Sequence, residues 1–308
     1  MHNSISIITV NYRSWSRLKQ CLDSVHQQLN DNIEMIVVDN FSNDGKAEDF
    51  VQKYPWVQFI LQDINGGFAQ ACNKGASVSK GNWLLFLNPD SVLEQGVLER
   101  LLNRADNEPE WKLIGIKQYS EDGKDQHQYG NFPKWWTVWP LMRTFERIIR
   151  GKSNSKKYIN TASVSYPDWL SGCFILIRHE DFIELGGWDQ RFWMYSEDID
   201  ICKRASDKGW KVVMYNEVRC MHAHGGSSRI NVETKAITKS EVIRSEYRYI
   251  DKHFKGAGKS VGKCILILLT VIELLMTAPF SAVKRKMIVN LISGHGKPRV
   301  GIELVSAI

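Results

Sequence analysis

Residues 83–90 read Trp83-Leu84-Leu85-Phe86-Leu87-Asn88-Pro89-Asp90, five apolar residues closed by an amide, a proline and a carboxylate. An apolar run this short and unbroken fits a strand buried on both faces. The same grammar recurs toward the N-terminus. Ile5–Val10 is a β-rich run followed by Asn11, Ile33–Val38 ends in Asp39, and Val57–Leu61 reads as a third strand. Between them, Trp15–Gln28 carries apolar residues at helical spacing (Leu18, Cys21, Leu22, Val25), and Ala47–Tyr54 and Phe68–Ser79 read as helices. Strands alternating with helices imply right-handed βαβ units around a mainly parallel sheet, an α/β fold with helices on both faces. Ligands of such sheets bind outside the carboxyl ends of the strands, so Asn11, Asp39 and Asp90 fall on one rim.

Toward the C-terminus the pattern loosens. Val92–Ala105 reads as a helix, and residues from about Gly123 to Ser163 are polar, aromatic and basic, with Phe132-Pro133-Lys134-Trp135-Trp136. A stretch that long without pattern reads as a lid or as a surface for a second substrate. Trp169–Ile177 returns as a strand, a helix begins near Ser196, Lys211–Tyr215 is a strand and Val232–Phe254 a helix. These boundaries give a domain over residues 1–255, with halves 1–105 and 106–255, and a tail over 256–308.

A chain of 308 residues with 43% hydrophobic and 24% charged residues can bury a full core, which excludes wholesale disorder. Its six cysteines are scattered without a C-x-x-C pair, and most sit inside apolar runs, which reads as reduced core thiols of a cytosolic protein, not a zinc site. The first strand lacks the features of a secretory leader. Between Arg244 and Val300, eleven Lys and Arg face three acids, Glu246, Asp251 and Glu273. The chain's net +6 therefore resides in this region, and the body is close to neutral. Cys264–Val283 is strongly apolar, interrupted by Thr270 and Glu273 and ended by Pro279, with Lys259 and Lys263 before it and Lys284, Arg285 and Lys286 after. An amphipathic helix lying in a membrane surface is expected, against a buried oligomerisation helix or a true span. Basic charge mixed with a long apolar run favours lipid over nucleic acid as partner.

Several residues carry candidate chemistry. Asp39, opening Asp39-Asn40-Phe41-Ser42-Asn43-Asp44-Gly45, can accept from a nucleobase N–H and a ribose hydroxyl, or can simply cap its loop. Asn65-Gly66-Gly67-Phe68 precedes a helix, where glycines let backbone approach a ligand and the helix N-terminus favours an anion. It is not the G-x-G-x-x-G of a dinucleotide fold, which disfavours a dehydrogenase. Asp90 can coordinate a divalent cation, because magnesium uses one or two carboxylates and fills the rest with phosphate and water; alternatively it caps Val92–Ala105. In Ser196-Glu197-Asp198-Ile199-Asp200, a carboxylate beside Trp188, Phe192, Trp193 and Tyr195 suits proton abstraction from a sugar hydroxyl next to stacking rings, or merely complements a helix dipole. His222 and His224, before Gly225-Gly226-Ser227-Ser228, can complete a metal shell or touch a phosphate.

In order and spacing these pieces resemble family 2 of the glycosyltransferases, with the GT-A fold, and its rhamnosyltransferase-like branch. The likeness runs from Ile5 to about Ser228 through Thr9-Val10-Asn11-Tyr12, Val37-Val38-Asp39-Asn40, Asn65-x-Gly67-Phe68 with Asn73, and Phe86-Leu87-Asn88-Pro89-Asp90. It continues through Trp169-x-Ser171-Gly172, Gly186-Gly187-Trp188-Asp189, Phe192-x-Met194-Tyr195-x-Glu197-Asp198-Ile199-Asp200 and His222-x-x-Gly225-x-Ser227. The resemblance implies that Thr9, Asn11, Asp39, Asn65, Gly67, Asn73, Asn88 and Asp90 bind a nucleotide-sugar donor. It implies Asp198 as catalytic base with Glu197 beside it, and Trp169, Trp188, Tyr195 and Glu197 toward the acceptor. Asp90 and His222 would hold Mg2+ or Mn2+. One departure stands out: the family's D-x-D appears here as Asn88-Pro89-Asp90.

The implied activity is inverting transfer of a sugar, best L-rhamnose from dTDP-rhamnose, to a lipid-linked saccharide in cell-surface polysaccharide synthesis such as that of an O-antigen or capsule. The site is the cytoplasmic face of the inner membrane, held peripherally, with oligomerisation open. A UDP-hexose or UDP-N-acetylhexosamine donor is the alternative. From another class, a catalytically silent membrane-associated carbohydrate-binding protein is disfavoured by the joint presence of Asp39, Asp90 and Asp198.

Overall fold

A computed structural model describes residues 4–126, 128–138, 161–223 and 231–293, with Met142, Phe145 and Ile148. Most of the central part of the Gly123–Ser163 excursion, and His224 with Gly225, Gly226, Ser227 and Ser228, lie outside the described residues.

The N-terminal half is built as its alternation requires: β1 (Ile5–Asn11), α1 (Trp15–His26), β2 (Ile33–Asp39), α2 (Ala47–Lys53), β3 (Val57–Leu61), α3 (Phe68–Ala76) and β4 (Trp83–Leu87). These four strands are mutually parallel in the order β3-β2-β1-β4. Register places Asn11 directly opposite Asp39. Burial of alternate residues on opposite faces explains the unbroken apolar runs. Trp83, Leu85 and Leu87 of β4 join the core under α1, while Leu84 and Phe86 join the core that contains Ala69 and Cys72 of α3.

Beyond β4 come β5 (Ser91–Leu93), α4 (Val97–Asp106), β6 (Trp111–Tyr119), β7 (Asp125–Gln126), β8 (Tyr129–Gly130), β9 (Val164–Ser165), β10 (Trp169–Leu170), β11 (Phe174–Arg178), α5 (His179–Glu184), α6 (Glu197–Asp207) and β12 (Lys211–His222). The sheet continues β4-β11-β6-β12-β5, with β11 antiparallel to both neighbours, β6 parallel to β12, and β5 antiparallel to β12. This half is mixed. The expected strand Trp169–Ile177 is two strands split at Ser171-Gly172-Cys173, and β6 has no counterpart in the sequence reading. Lys112, Gly115 and Lys117 dilute its apolar pattern. Gly115 leaves room for the Leu170 side chain, since a Cβ there would meet its terminal methyl at 2.9 Å.

Three helices follow: α7 (Val232–His253), α8 (Gly256–Thr277) and α9 (Ala282–Ser293), with a short 3-10 turn at Ala278–Phe280 around the expected terminator Pro279. Leu266 of α8 packs with Ile250 and Val138, and Leu274 with Ala236 and Met287, so the tail is docked on α7 by one face. Its other face is apolar and open: Leu268, Leu275, Met276 and Phe280 are exposed. Gly256–Phe280 is long and apolar enough to cross a membrane.

Candidate active site

The rim expected from the strand ends is present. Asn11 Nδ2 donates to Asp39 Oδ1 at 2.8 Å, and Ser42 donates to both carboxylate oxygens, through its hydroxyl at 2.5 Å and its N–H at 2.9 Å. Asp39 therefore caps its own loop. Thr9 is fully buried, on the β1 face whose Ile5 and Ile7 pack with α1 in the core.

Asn40 reaches across to the next loop. Its Nδ2 donates to Asn65 Oδ1 at 2.9 Å and its Oδ1 accepts from Gly66 N–H at 3.0 Å. Here the expectation of a glycine turn open to an anion needs correcting. The N–H of Phe68, first residue of α3, donates to the Trp193 carbonyl at 2.8 Å. Gly67, with φ +86°, lies so close to Trp193 that a Cβ would meet its carbonyl oxygen at 2.2 Å. What these glycines admit is the chain's own Trp193. Asn73 is likewise engaged at both ends of its amide, with the N–H and the carbonyl of Trp188, at 2.9 and 2.8 Å.

Asp90 does not cap a helix. Ser91–Leu93 is a strand, and α4 starts at Val97. Antiparallel pairing of β5 with β12 sets His222 opposite Ser91, which brings His222 Nε2 to 3.3 Å from Asp90 Oδ1. The two residues expected to share a metal are thus adjacent. Among the described residues no three His, Cys, Asp or Glu side chains converge as a metal shell.

Glu197 and Asp198 open α6 directly after Tyr195 and Ser196, both left-handed at φ 70° and 64°. Two successive non-glycine residues in that region are costly, of order 1–3 kcal/mol each, and persist only where surroundings over-determine them. Asp198 accepts from Gly172 N–H at 3.1 Å and Ile199 N–H at 2.8 Å. Burial raises its carboxyl above the ordinary aspartate range, and these backbone N–H groups oppose the shift. Glu197 is buried, with Oε2 unpartnered among the described residues. Burial, and then the Asp198 charge, lift it well above a normal glutamate.

Some expected roles fail on burial. Trp188 is a core residue, 1% exposed, with its ring edge-on to Phe68 and Phe86, and offers no face to a sugar. Glu197 is turned in as well, so direct acceptor contact is not open to it in this conformation. Trp169 is half-buried, its indole N–H donating to the Asn131 carbonyl at 3.0 Å, and Tyr195 is half-buried. Gly172 and Asp200 lie in the recognised motifs, but the sequence reading gave neither a role.

The profile of Glycosyl transferase family 2 matches residues 6–195, well over half of the chain. The chain belongs to this family. Over 248 residues the transferase is 25% identical to an N-acetylglucosaminyl-diphospho-decaprenol L-rhamnosyltransferase of Mycobacterium tuberculosis, covering 72% of this chain and 76% of that one. It is also 25% identical to the rhamnosyltransferase WbbL of Escherichia coli, over 71% and 82% of the two chains. A GalNAc-T7 structure with UDP, GalNAc and Mn2+ superposes with TM-score 0.58 at 16% identity, over 84% of this chain and about half (53%) of that one. A mannosyltransferase from Pyrobaculum calidifontis with GDP-Man and Mn2+ gives 0.54 at 13% identity, over 94% and 79%. The fold is GT-A, with the apolar C-terminal helix added.

Proposed function

We propose that this transferase moves a sugar, best L-rhamnose from dTDP-L-rhamnose, to a lipid-linked saccharide with inversion at the anomeric carbon. One observation carries the mechanism. Gly172 and Cys173, adjacent in sequence, tie the base to the loop that carries Asp90: Gly172 N–H donates to Asp198, and the Cys173 carbonyl accepts from Asn88 N–H at 2.9 Å. The base and the metal-side loop are thereby fixed on either side of one short turn. Asp198, ionised, takes the acceptor hydroxyl proton as that oxygen bonds to the anomeric carbon and the bond to the diphosphate oxygen breaks.

Asp90 and His222 fit a divalent cation. A carboxylate and an imidazole at 3.3 Å could both turn to one ion; the carboxylate suits Mg2+ or Mn2+, and the imidazole favours Mn2+ of the two. When bound, that cation would neutralise charge on the leaving diphosphate. Asp39, Asn11 and the loops around Asn65 and Asn88 form the donor side, with Asp39 reaching the nucleoside once its Ser42 bond is exchanged. Residues 1–105 and 106–255 divide into donor and acceptor halves, and 256–308 is the membrane-facing tail.

The rhamnosyl donor is supported by both relatives named above and the lipid-linked acceptor by the first of them, and a role in polysaccharide synthesis is part of the same proposal. Peripheral attachment to the cytoplasmic face is supported by the exposed Leu268, Leu275 and Phe280; of the flanking cations, Lys259 and Lys263 pair with Asp251 and Lys284 with Glu273. The deciding experiment is a thermal-shift panel of dTDP-L-rhamnose, UDP-hexoses and UDP-N-acetylhexosamines, with and without Mn2+, followed by transfer to N-acetylglucosaminyl-diphospho-polyprenol. A ligand at about 100 times its Kd stabilises by about 2.7 kcal/mol. Selective stabilisation by a UDP-sugar would shift the donor assignment, and no response to any would remove the transferase reading.

A further inference from the structure

The Asp200 carboxylate is fully buried and draws two cationic side chains and an imidazole from two helices. Arg204 Nε of its own helix lies 2.8 Å from Oδ2; Lys252 Nζ and His253 Nε2 of α7 lie 2.5 and 2.7 Å from Oδ1. Burial alone would raise this carboxyl, but His253, Arg204 and Lys252 together hold it below the ordinary aspartate value. Asp200 is therefore an anion inside the fold.

The network spreads over the segment that leads to the base. Lys252 also reaches Asp189 at 2.7 Å. Arg204 donates to the carbonyls of Leu185 and Gly187 at 2.5 and 2.8 Å. Ser245 of α7 donates to the Met194 carbonyl at 2.8 Å. The chain from Leu185 to Asp200 is thus gripped at both ends and just before the left-handed pair Tyr195-Ser196.

From this placement we infer that Lys252 and His253 are positioning residues for the reaction, acting through Asp200 to fix the first turn of α6 and with it the aim of Asp198. Neither touches the reacting atoms, and both lie beyond the stretch that the family profile covers. The inference rests on Asp198 being the base. A purely structural tie between two helices would lower stability and leave turnover per folded molecule intact. A positioning role lowers kcat at unchanged donor affinity, because an ångström of misplacement is enough to slow a step about 100-fold.

The test uses the full chain with Lys252→Met, His253→Gln and both together, with dTDP-L-rhamnose and N-acetylglucosaminyl-diphospho-polyprenol. In the double variant kcat falls about 10- to 100-fold, while the donor KM moves less than about 2-fold. Lys252→Arg, which keeps the charge on Asp200, retains most of the wild-type kcat. Hydrogen exchange on the same proteins rises at amides 194–200 and is unchanged in strand 84–87. Wild-type kcat in the double variant overturns the inference, whether or not its Tm falls. If that protein does not fold, His253→Gln alone decides, since Lys252 and Arg204 still reach Asp200. A wild-type chain inert toward every nucleotide sugar would defeat the functional reading instead; unchanged exchange at 194–200 would then defeat the positioning on its own.

Discussion

The backbone N–H of Gly172 donates to Oδ2 of Asp198 at 3.1 Å, and through that bond a turn of the sheet helps to aim a carboxylate that also accepts from Ile199 N–H of its own helix. The turn interrupts what the sequence presents as a single strand. Cys173, next along, feels both Asp198 and Asp90 as charges.

Asp198→Asn keeps the Gly172 contact in shape but removes the proton acceptor. Turnover falls by about 100-fold or more, while donor affinity, read by calorimetry, is unchanged. Because burial raises this carboxyl, the acid limb of the wild-type kcat profile lies above the ordinary aspartate range: activity is lost as pH falls through the raised pKa, where the base becomes protonated. Retention of more than about a tenth of the turnover would assign the base elsewhere.

If Asp90 and His222 hold the proposed cation, Asp90→Ala and His222→Gln weaken donor binding and turnover together, since such a cation would meet the diphosphate in ground and transition states alike. Chelator applied to the wild type reproduces the loss. Chelator-resistant activity, with Asp90→Ala near wild type, would take the cation out of the mechanism.

Glu197→Gln raises stability at neutral pH. A carboxyl whose folded pKa is raised binds more protons in the native state than in the unfolded one, so stability declines as pH climbs through that window. The Tm advantage of the variant is full above the raised pKa and closes on acidification toward the unfolded value of about 4.3. A gap independent of pH would show that Glu197 is not the titrating group.

Trp188→Ala costs about 3–5 kcal/mol of stability, as deletion of a large core side chain does, and leaves the acceptor KM of the folded fraction unchanged. A selective rise in that KM would restore the stacking role that burial removes.

Leu268→Glu with Leu275→Glu tests the tail without exposing the α7 face that deleting it would uncover. Flotation with anionic vesicles is lost while donor binding persists. Wild-type binding to vesicles by this variant would show that the outer face of α8 is not the lipid contact.

Apolar runs closed by polar residues made β1 to β4 legible, because buried parallel strands need continuous apolar sequence and their ends carry the rim. The same logic missed β6, where Lys112 and Lys117 extend off a pleat and Gly115 makes room for Leu170. It also mistook Trp188 for a platform, since a tryptophan in an aromatic-rich motif looks the same buried or exposed. Lys252 and His253 were hidden differently. Cations in the last turn of a helix are accounted for by its dipole, and only tertiary structure shows Asp200 beneath them.

Asn65, Gly67 and Asn73 of the first half meet Trp193 and Trp188 of the second through side-chain-to-backbone hydrogen bonds and, at Gly67, a contact too close for a Cβ. Specificity in this enzyme therefore cannot be exchanged as a cassette. A chimaera that takes residues 1–105 from one relative and the remainder from another inherits two loops shaped for different partners, and its interlock must be transplanted as a unit, with 65–73 and 187–193 from the same parent.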